Sequence, residues 1–251
     1  MKTILIVGAS GGIGSIVAKH FLDQGWEVYG TNYANEFPDY LTGHEHFKGS
    51  DLDVCDLDAI ESLKSNLSTI AAMVNCSGIV EFEAYNDPSK NLDIWLRTMS
   101  INLTGSYNLF LKLRDKVERN GSYIMMSSTD SYYGGKVNTA YAASKAGINS
   151  LTKSLALMYN ESGLRVNSIA PGWVETAMME AGGDELVAYA KEINPLNRNG
   201  DPQDVANLVD FLISDKSSYI NGQVITLDGG YTLQDPTLVF EEKSIEKSRQ
   251  S

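Results

Sequence analysis

An apolar run from Thr3 to Val7 (TILIV) stops at Gly8, and from Gly12 onward Ile16, Val17, His20 and Phe21 recur at helical spacing as far as Gln24. Strand, glycine turn and helix in that order open a βαβ unit and constrain the fold more than any other stretch of the chain. Gly8 permits the tight turn, Gly12 lets backbone come close to a pyrophosphate at the helix N-terminus, and Gly14 allows the helix to pack closely. Ser10, Gly11 and Ile13 lie within the same turn. The position of the triplet, directly after a strand and directly before a helix, makes it more than a chance run of glycines.

The same alternation continues. Glu27 to Asn32 reads as a second strand, and the segment from Tyr33 to Gly43 is irregular. A third strand near His46 to Ser50 leads into Asp51, Asp53, Val54 and Asp56 and then a helix from Asp58 to about Asn66; one Asp there suffices to cap that helix. Ile70 to Val74 forms a fourth strand ending in Asn75-Cys-Ser77-Gly78. The pattern predicts a long helical region from Pro88 to about Arg119 with Asn102 in its middle, where an amide competes for backbone bonds; a surface residue and a local distortion with a polar role are the two readings of it. Ser122 to Ser127 reads as the fifth strand, Tyr141 to about Tyr159 as a helix, Arg165 to Ala170 as the sixth strand stopped by Pro171-Gly172, and Gln223 to Leu227 as the last. A helix from Asp201 to Ile213 carries Pro202 in its first turn. The expected fold is α/β: a single doubly wound, mainly parallel seven-stranded sheet of the Rossmann type with helices on both faces. One domain over 1–234 is expected, with a mobile lid at about 176–194 and a polar, disordered tail over 235–251. The glycine turn, the Asn75 loop, Ser128 and Pro171-Gly172 all follow strands, so they gather at one sheet edge, where such sheets bind ligands.

Composition narrows the function class. A formal charge of -12, with no local Lys/Arg cluster, argues against a nucleic-acid or anionic-membrane partner. The first apolar run is too short for a signal peptide or a membrane span, which points to the cytoplasm. His44 and His46 have no third ligand candidate nearby, and Cys55 and Cys76 have neither metal-like spacing nor a disulfide framework, so no metal is expected and both thiols read as small buried hydrophobes.

The chemistry concentrates between Ser127 and Lys145. On a helix, Tyr141 and Lys145 stand four residues apart on one face, placing a phenol beside an ammonium. A cation about 5 Å away at an effective dielectric of about 20 favours the phenolate by about 3 kcal/mol, roughly two pKa units, enough to make Tyr141 an acid or base near neutrality. Ser128 follows an apolar run, so its hydroxyl sits at the C-terminal end of the fifth strand.

In this order and at these spacings the residues resemble the short-chain dehydrogenase/reductase family, over about residues 1–234. The glycine motif appears as Gly8, Gly12 and Gly14, the sheet motif as Asn75-Cys-Ser77-Gly78, the catalytic set as Asn102, Ser128, Tyr141 and Lys145, and the nicotinamide-side motif as Pro171-Gly172 with Val174 and Thr176. The resemblance implies a ketone/secondary-alcohol oxidoreductase in which Tyr141 exchanges the proton, Ser128 hydrogen-bonds the reacting oxygen, Lys145 lowers the tyrosine pKa and holds the ribose, and Asn102 anchors a relay water. It also implies that Asp53 and Val54 meet the adenine and Thr176 the carboxamide. A small-molecule carbonyl or alcohol substrate is implied, a 3-oxoacyl thioester among the options, as is a homodimer or homotetramer. Small residues at Ala142, Ala143, Ser144, Ala146 and Gly147 suit close helix packing, internal or between subunits. Extended-type epimerase or dehydratase chemistry would call for a larger C-terminal region, and a non-catalytic dinucleotide sensor would not need Ser128, Tyr141 and Lys145 together. Val7 and Cys76-Ser77 depart from the family's usual Thr and Asn-Ala. For the cofactor, Asn32 replaces the Asp that selects a free ribose hydroxyl, yet no basic residue follows until Lys48 to meet a 2′-phosphate; NAD(H) is favoured over NADP(H).

Overall fold

The computed structural model describes residues 1–84 and 87–233; the tail expected over 235–251 lies outside them. Seven strands, β1 (Thr3–Val7), β2 (Glu27–Asn32), β3 (Phe47–Asp51), β4 (Ile70–Asn75), β5 (Val117–Met126), β6 (Arg165–Pro171) and β7 (Val224–Leu227), form one sheet in the order β3-β2-β1-β4-β5-β6-β7. Every pairing is parallel. Because both faces are covered, strand residues alternate between two cores rather than between core and water. Ile4 and Ile6 belong to one and Leu5 and Val7 to the other, as do Ile124 and Met126 against Tyr123 and Met125.

Helices α1 (Gly12–Asp23) and α9 (Pro202–Ile213) pack together on one side. On the other lie α3 (Leu57–Asn66), α4 (Asn91–Met99), α5 (Gly105–Leu113) and α6 (Thr139–Met158). Short α2 (Asp39–Thr42) interrupts the irregular stretch after β2, while α7 (Ala177–Glu180) and α8 (Asp184–Ile193) fill the segment expected to be a lid. The chain reverses direction across the sheet at β1, flanked by β2 and β4, and the crevice at the C-terminal ends of β1 and β4 is the switch point where open α/β sheets take ligands. Among the described residues no helix is long and apolar enough to cross a membrane, and no group of three or more His, Cys, Asp or Glu is placed to hold a metal ion.

Three local expectations change. The helical region predicted over 88–119 is broken: a π turn, Ser100–Thr104, separates α4 from α5, and β5 begins at Val117. The π turn contains Asn102, so the local distortion is the reading that holds. The early start of β5 escaped the pattern because the polar Glu118, Arg119 and Asn120 follow Val117 and its register against β4 shifts between Ile70 and Ala72, with Asn120 at φ 64. Finally, Cys55 is exposed rather than buried, because Asp53 turns the chain by accepting the Cys55 N–H at 2.8 Å.

Candidate active site

The glycine turn is held by contacts that only hydrogen permits. A Cβ on Gly14 would lie 2.1 Å from the Gly8 carbonyl oxygen, and one on Gly8, whose φ is +80, would lie 2.9 Å from the Ser77 amide nitrogen. A Cβ on Gly12 would meet the Thr176 side chain at 2.8 Å, which brings the start of α1 against the Pro171–Thr176 segment. Opposite, Cys76 donates its N–H to the Val7 carbonyl at 2.8 Å, so the two loops are joined through backbone where a polar side chain is missing at position 7. Asp56, rather than the other acids of its cluster, caps α3.

Between these loops lies a cavity of about 480 Å³. Gly8, Ser10 and Gly11 form one wall, Ser77 and Gly78 another, and Asn32, Asp53 and Val54 the far end. Asn32 donates its Nδ2 to the Asn35 carbonyl, which turns the buried Oδ1 away with no protein partner. An orphaned acceptor at the end of a glycine-floored groove fits a ribose hydroxyl, so these residues are suited to a dinucleotide. Arg97 also borders the cavity but is bidentate on Glu81.

Not every residue implied by the resemblance faces this groove. The Asn75 side chain is engaged within the protein, donating to Ser106 Oγ at 2.9 Å and accepting from the Ser77 N–H at 3.0 Å and Oγ at 2.6 Å, so it shapes the loop. Ile13 and Val174 pack on the core, and Gly172 is tied by its N–H to Leu227. Pro171 is buried at the end of β6, and Thr176 donates its hydroxyl to the Val174 carbonyl at 3.3 Å.

The four polar residues that the resemblance implies as the catalytic set lie near one another. Lys145 is buried, donates Nζ to the Met126 carbonyl at 2.8 Å and lies 5.5 Å from the Tyr141 ring centroid. A Cβ on Gly78 would stand 3.3 Å from Asn102 Oδ1 and 3.4 Å from Lys145 Nζ, so the loop after β4 closes on both. Asn102 holds that loop by a reciprocal pair, donating Nδ2 to the Ile79 carbonyl and accepting the Ile79 N–H on Oδ1, each at 2.9 Å, and also donates to Ser144 Oγ at 3.1 Å. Gly147, one of the small α6 positions, lies against Leu103 of the π turn, which assigns it to internal packing. Ser128 caps the turn after β5, accepting the Asp130 N–H at 3.1 Å. Ser127, Asn149 and Ser131 tie that turn back to α6 through hydrogen bonds of 2.6 to 2.8 Å.

The electrostatics differ from the simple two-charge argument. Burial pushes the Tyr141 phenol up to about 12; the adjacent Ser128 hydroxyl opposes that rise and the Asp130 charge adds to it. Burial likewise pulls Lys145 down to about 8. The expected lowering of the tyrosine is therefore absent: desolvation sets the phenol's value, and the ammonium, which donates to the Met126 carbonyl, does not offset it. Burial also raises the Cys76 thiol to about 12, leaving a neutral group in the crevice.

Two acids outside the candidate catalytic set act on the start of α6. Asp130, raised by burial and partly offset by a hydrogen bond from Asn138, adds negative potential at Tyr141. Glu83 accepts from the first turn of α6. Neither stands in a local motif; only the closing of loops onto α6 brings them to the site.

Residues 8–232 match the family model described as enoyl-(acyl carrier protein) reductase. The chain is 35% identical over 243 residues to the 3-oxoacyl-[acyl-carrier-protein] reductase FabG of Thermotoga maritima, covering 92% of this chain and 98% of that protein. Among solved structures it superposes on 4-hydroxyisoleucine dehydrogenase complexed with NADH at a TM-score of 0.84, with 28% identity, covering 94% of this chain and 100% of that one. It superposes on BdcA in complex with NADPH at 0.83, with 25% identity, covering 91% and 93%.

Proposed function

The chain belongs to the short-chain dehydrogenase/reductase family, and from that premise we propose that this oxidoreductase interconverts a ketone and a secondary alcohol with Tyr141 as the proton donor or acceptor. The carrying observation is the phenol itself: half-buried, neutral up to about 12, beside Ser128 and on the same helix face as Lys145. A nicotinamide dinucleotide, when bound, supplies or takes the hydride.

A neutral phenol is a proton donor, so the resting side chain is prepared for carbonyl reduction. Ser128 orients the carbonyl oxygen, and the buried Lys145 places positive charge where negative charge develops. Asn102 keeps the loop after β4 against Lys145. The substrate class we favour is a 3-oxoacyl thioester or a ketone of similar reach, in line with the FabG relative. NAD(H) is our preferred cofactor: the unpartnered Asn32 Oδ1 suits a 2′-hydroxyl donor, and a 2′-phosphate would lack a free cation, since Arg97, the cation bordering the groove among its described residues, is held by Glu81. Segment 176–194 would serve as the substrate lid, and the exposed Leu96, Tyr107 and Leu111 on α4 and α5 as part of a homo-oligomer contact in the cytoplasm. Light scattering that found a monomer at micromolar concentration would count against the assembly.

The test is Tyr141→Phe, assayed with acetoacetyl-coenzyme A and a panel of ketones under both cofactors. The rate should fall by about 10²-fold or more while cofactor affinity stays within a few-fold. Near-normal turnover would sink the assignment, and tighter binding of NADPH than NADH in parallel titrations would overturn the cofactor preference.

A further inference from the structure

We infer that Glu83 is a positioning residue that sets Tyr141 for proton transfer by capping, from a distant loop, the first turn of α6. The inference rests on the reading of Tyr141 as the acid/base. Helix α6 needs acceptors for its first N–H groups, and the residue placed to supply one, Asn138, makes no side-chain cap bond to the helix and instead donates its amide to Asp130 at 2.8 Å. Glu83 takes over: its Oε2 accepts the Thr139 N–H at 2.9 Å and its Oε1 the Ala140 N–H at 2.8 Å. Its own N–H donates to the Val137 carbonyl at 2.7 Å, so three bonds join this residue to three of the four residues preceding Tyr141. Glu83 is only 9% exposed. Burial acts to raise its pKa, but the Thr139 side chain and the two N–H groups outweigh that and hold it below the ordinary carboxylate range, so it is charged at neutral pH.

The loop that carries Glu83 is itself tied to the catalytic set. Ile79, at its start, is held by the reciprocal bonds of Asn102, and Glu81, midway, by Arg97. Alternate residues of one extended strap thus fasten the π turn at one end and the start of α6 at the other. The strap fixes the distance between Asn102 and Tyr141 in a way neither helix does alone. Lys145 lies a full turn further along and has its own anchor on Met126. Loosening the Glu83 end should therefore swing the phenol while leaving the lysine and the cofactor groove in place, which predicts a loss in kcat without a loss in cofactor affinity.

The experiment compares Glu83→Ala, Glu83→Gln and, as a control, Asp201→Ala, which removes the capping box of α9 on the opposite face of the sheet. Turnover of acetoacetyl-coenzyme A at a temperature well below each unfolding midpoint should fall by about 10- to 100-fold for Glu83→Ala, since a misplacement of about 1 Å costs up to about 10²-fold. Glu83→Gln, which keeps one acceptor, should fall in between, with the Kd for NADH within about twofold throughout. Asp201→Ala should lose stability and keep kcat. Amide exchange over residues 138–145, read without substrate, should be at least about tenfold faster in the Glu83 variants. If exchange there is unchanged, or if Glu83→Ala loses only stability as the control does, Glu83 is merely structural and the inference falls with the Tyr141 reading intact. If Tyr141→Phe retains turnover, that reading fails first.

Discussion

Replacing Arg165 with Met should destabilise the protein by about 2 to 3 kcal/mol, although Arg165 is far from the crevice and removing a buried charge could be expected to help. Arg165 opens β6, is 8% exposed, and points its guanidinium at the end of α9. Nη1 donates to Ser217 Oγ at 3.1 Å and to the Ser217 carbonyl at 3.2 Å, with longer contacts to the carbonyls of Ile220 and Ser214 at 3.5 and 3.4 Å. Its acceptors are neutral oxygens, so burial pulls the guanidinium pKa down and the Asp215 charge restores only part of it. The two shorter bonds count about 1.5 to 3 kcal/mol each as charge-assisted bonds. Several carbonyls keep a second donor, for example Ser217 from the Ile220 N–H at 2.8 Å, so few acceptors are orphaned by the change. Relief of guanidinium desolvation returns part of the loss, leaving the net figure of about 2 to 3 kcal/mol, or roughly 4 to 12 °C in Tm for a chain of this size. Urea unfolding with calorimetry would measure it, and Arg165→Lys should lie between. A loss below about 0.5 kcal/mol at unchanged m would show that desolvation cancels the bonds and that the end of α9 needs no cation.

Other outcomes can be stated briefly. Gly14→Ala places a methyl 2.1 Å from a backbone oxygen that no rotamer can move, so dinucleotide binding should be abolished; Gly25→Ala, at φ +79 with nothing within 4 Å of the new carbon, should cost only about 1 to 2 kcal/mol in stability. Equal effects in a fluorescence titration and a melt would refute the contrast. For pH, Lys145 has a folded pKa of about 8, below its unfolded value of 10.5, so the unfolded chain binds more protons between them and stability should rise with pH in that window. Relative to Lys145→Met, wild type should gain about 2 kcal/mol between pH 7 and 9.5, and a flat difference would show that the ammonium is not desolvated.

The architecture was readable in the chain because it is written in short-range terms. Apolar runs such as Ile4 to Val7 and Tyr123 to Met126 are the mark of strands buried on both faces, and glycines at 8, 12 and 14 admit few backbone paths. The four-residue spacing of Tyr141 and Lys145 likewise needs only a helix to become a shared face. What the sequence left open depends on contacts between distant segments. The value of the Tyr141 phenol could not be obtained from its distance to Lys145, because burial by the surrounding loops acts on both groups and in opposite senses. That Asn102 would distort its helix was one of two readings, and it was the capture of Ile79, 23 positions away, that gave its amide both partners. The start of β5 was hidden because the polar Glu118, Arg119 and Asn120 fall in an irregularity between two positions paired with β4, Val117 on Ile70 and Ser122 on Ala72. Glu83 carried no signal of a capping role, since a carboxylate in a loop becomes a helix cap only when the tertiary fold brings it to N–H groups 56 and 57 residues further along the chain. Local backbone preference and hydrophobic period are properties of neighbouring residues; desolvation and capping at a distance are properties of the packed whole.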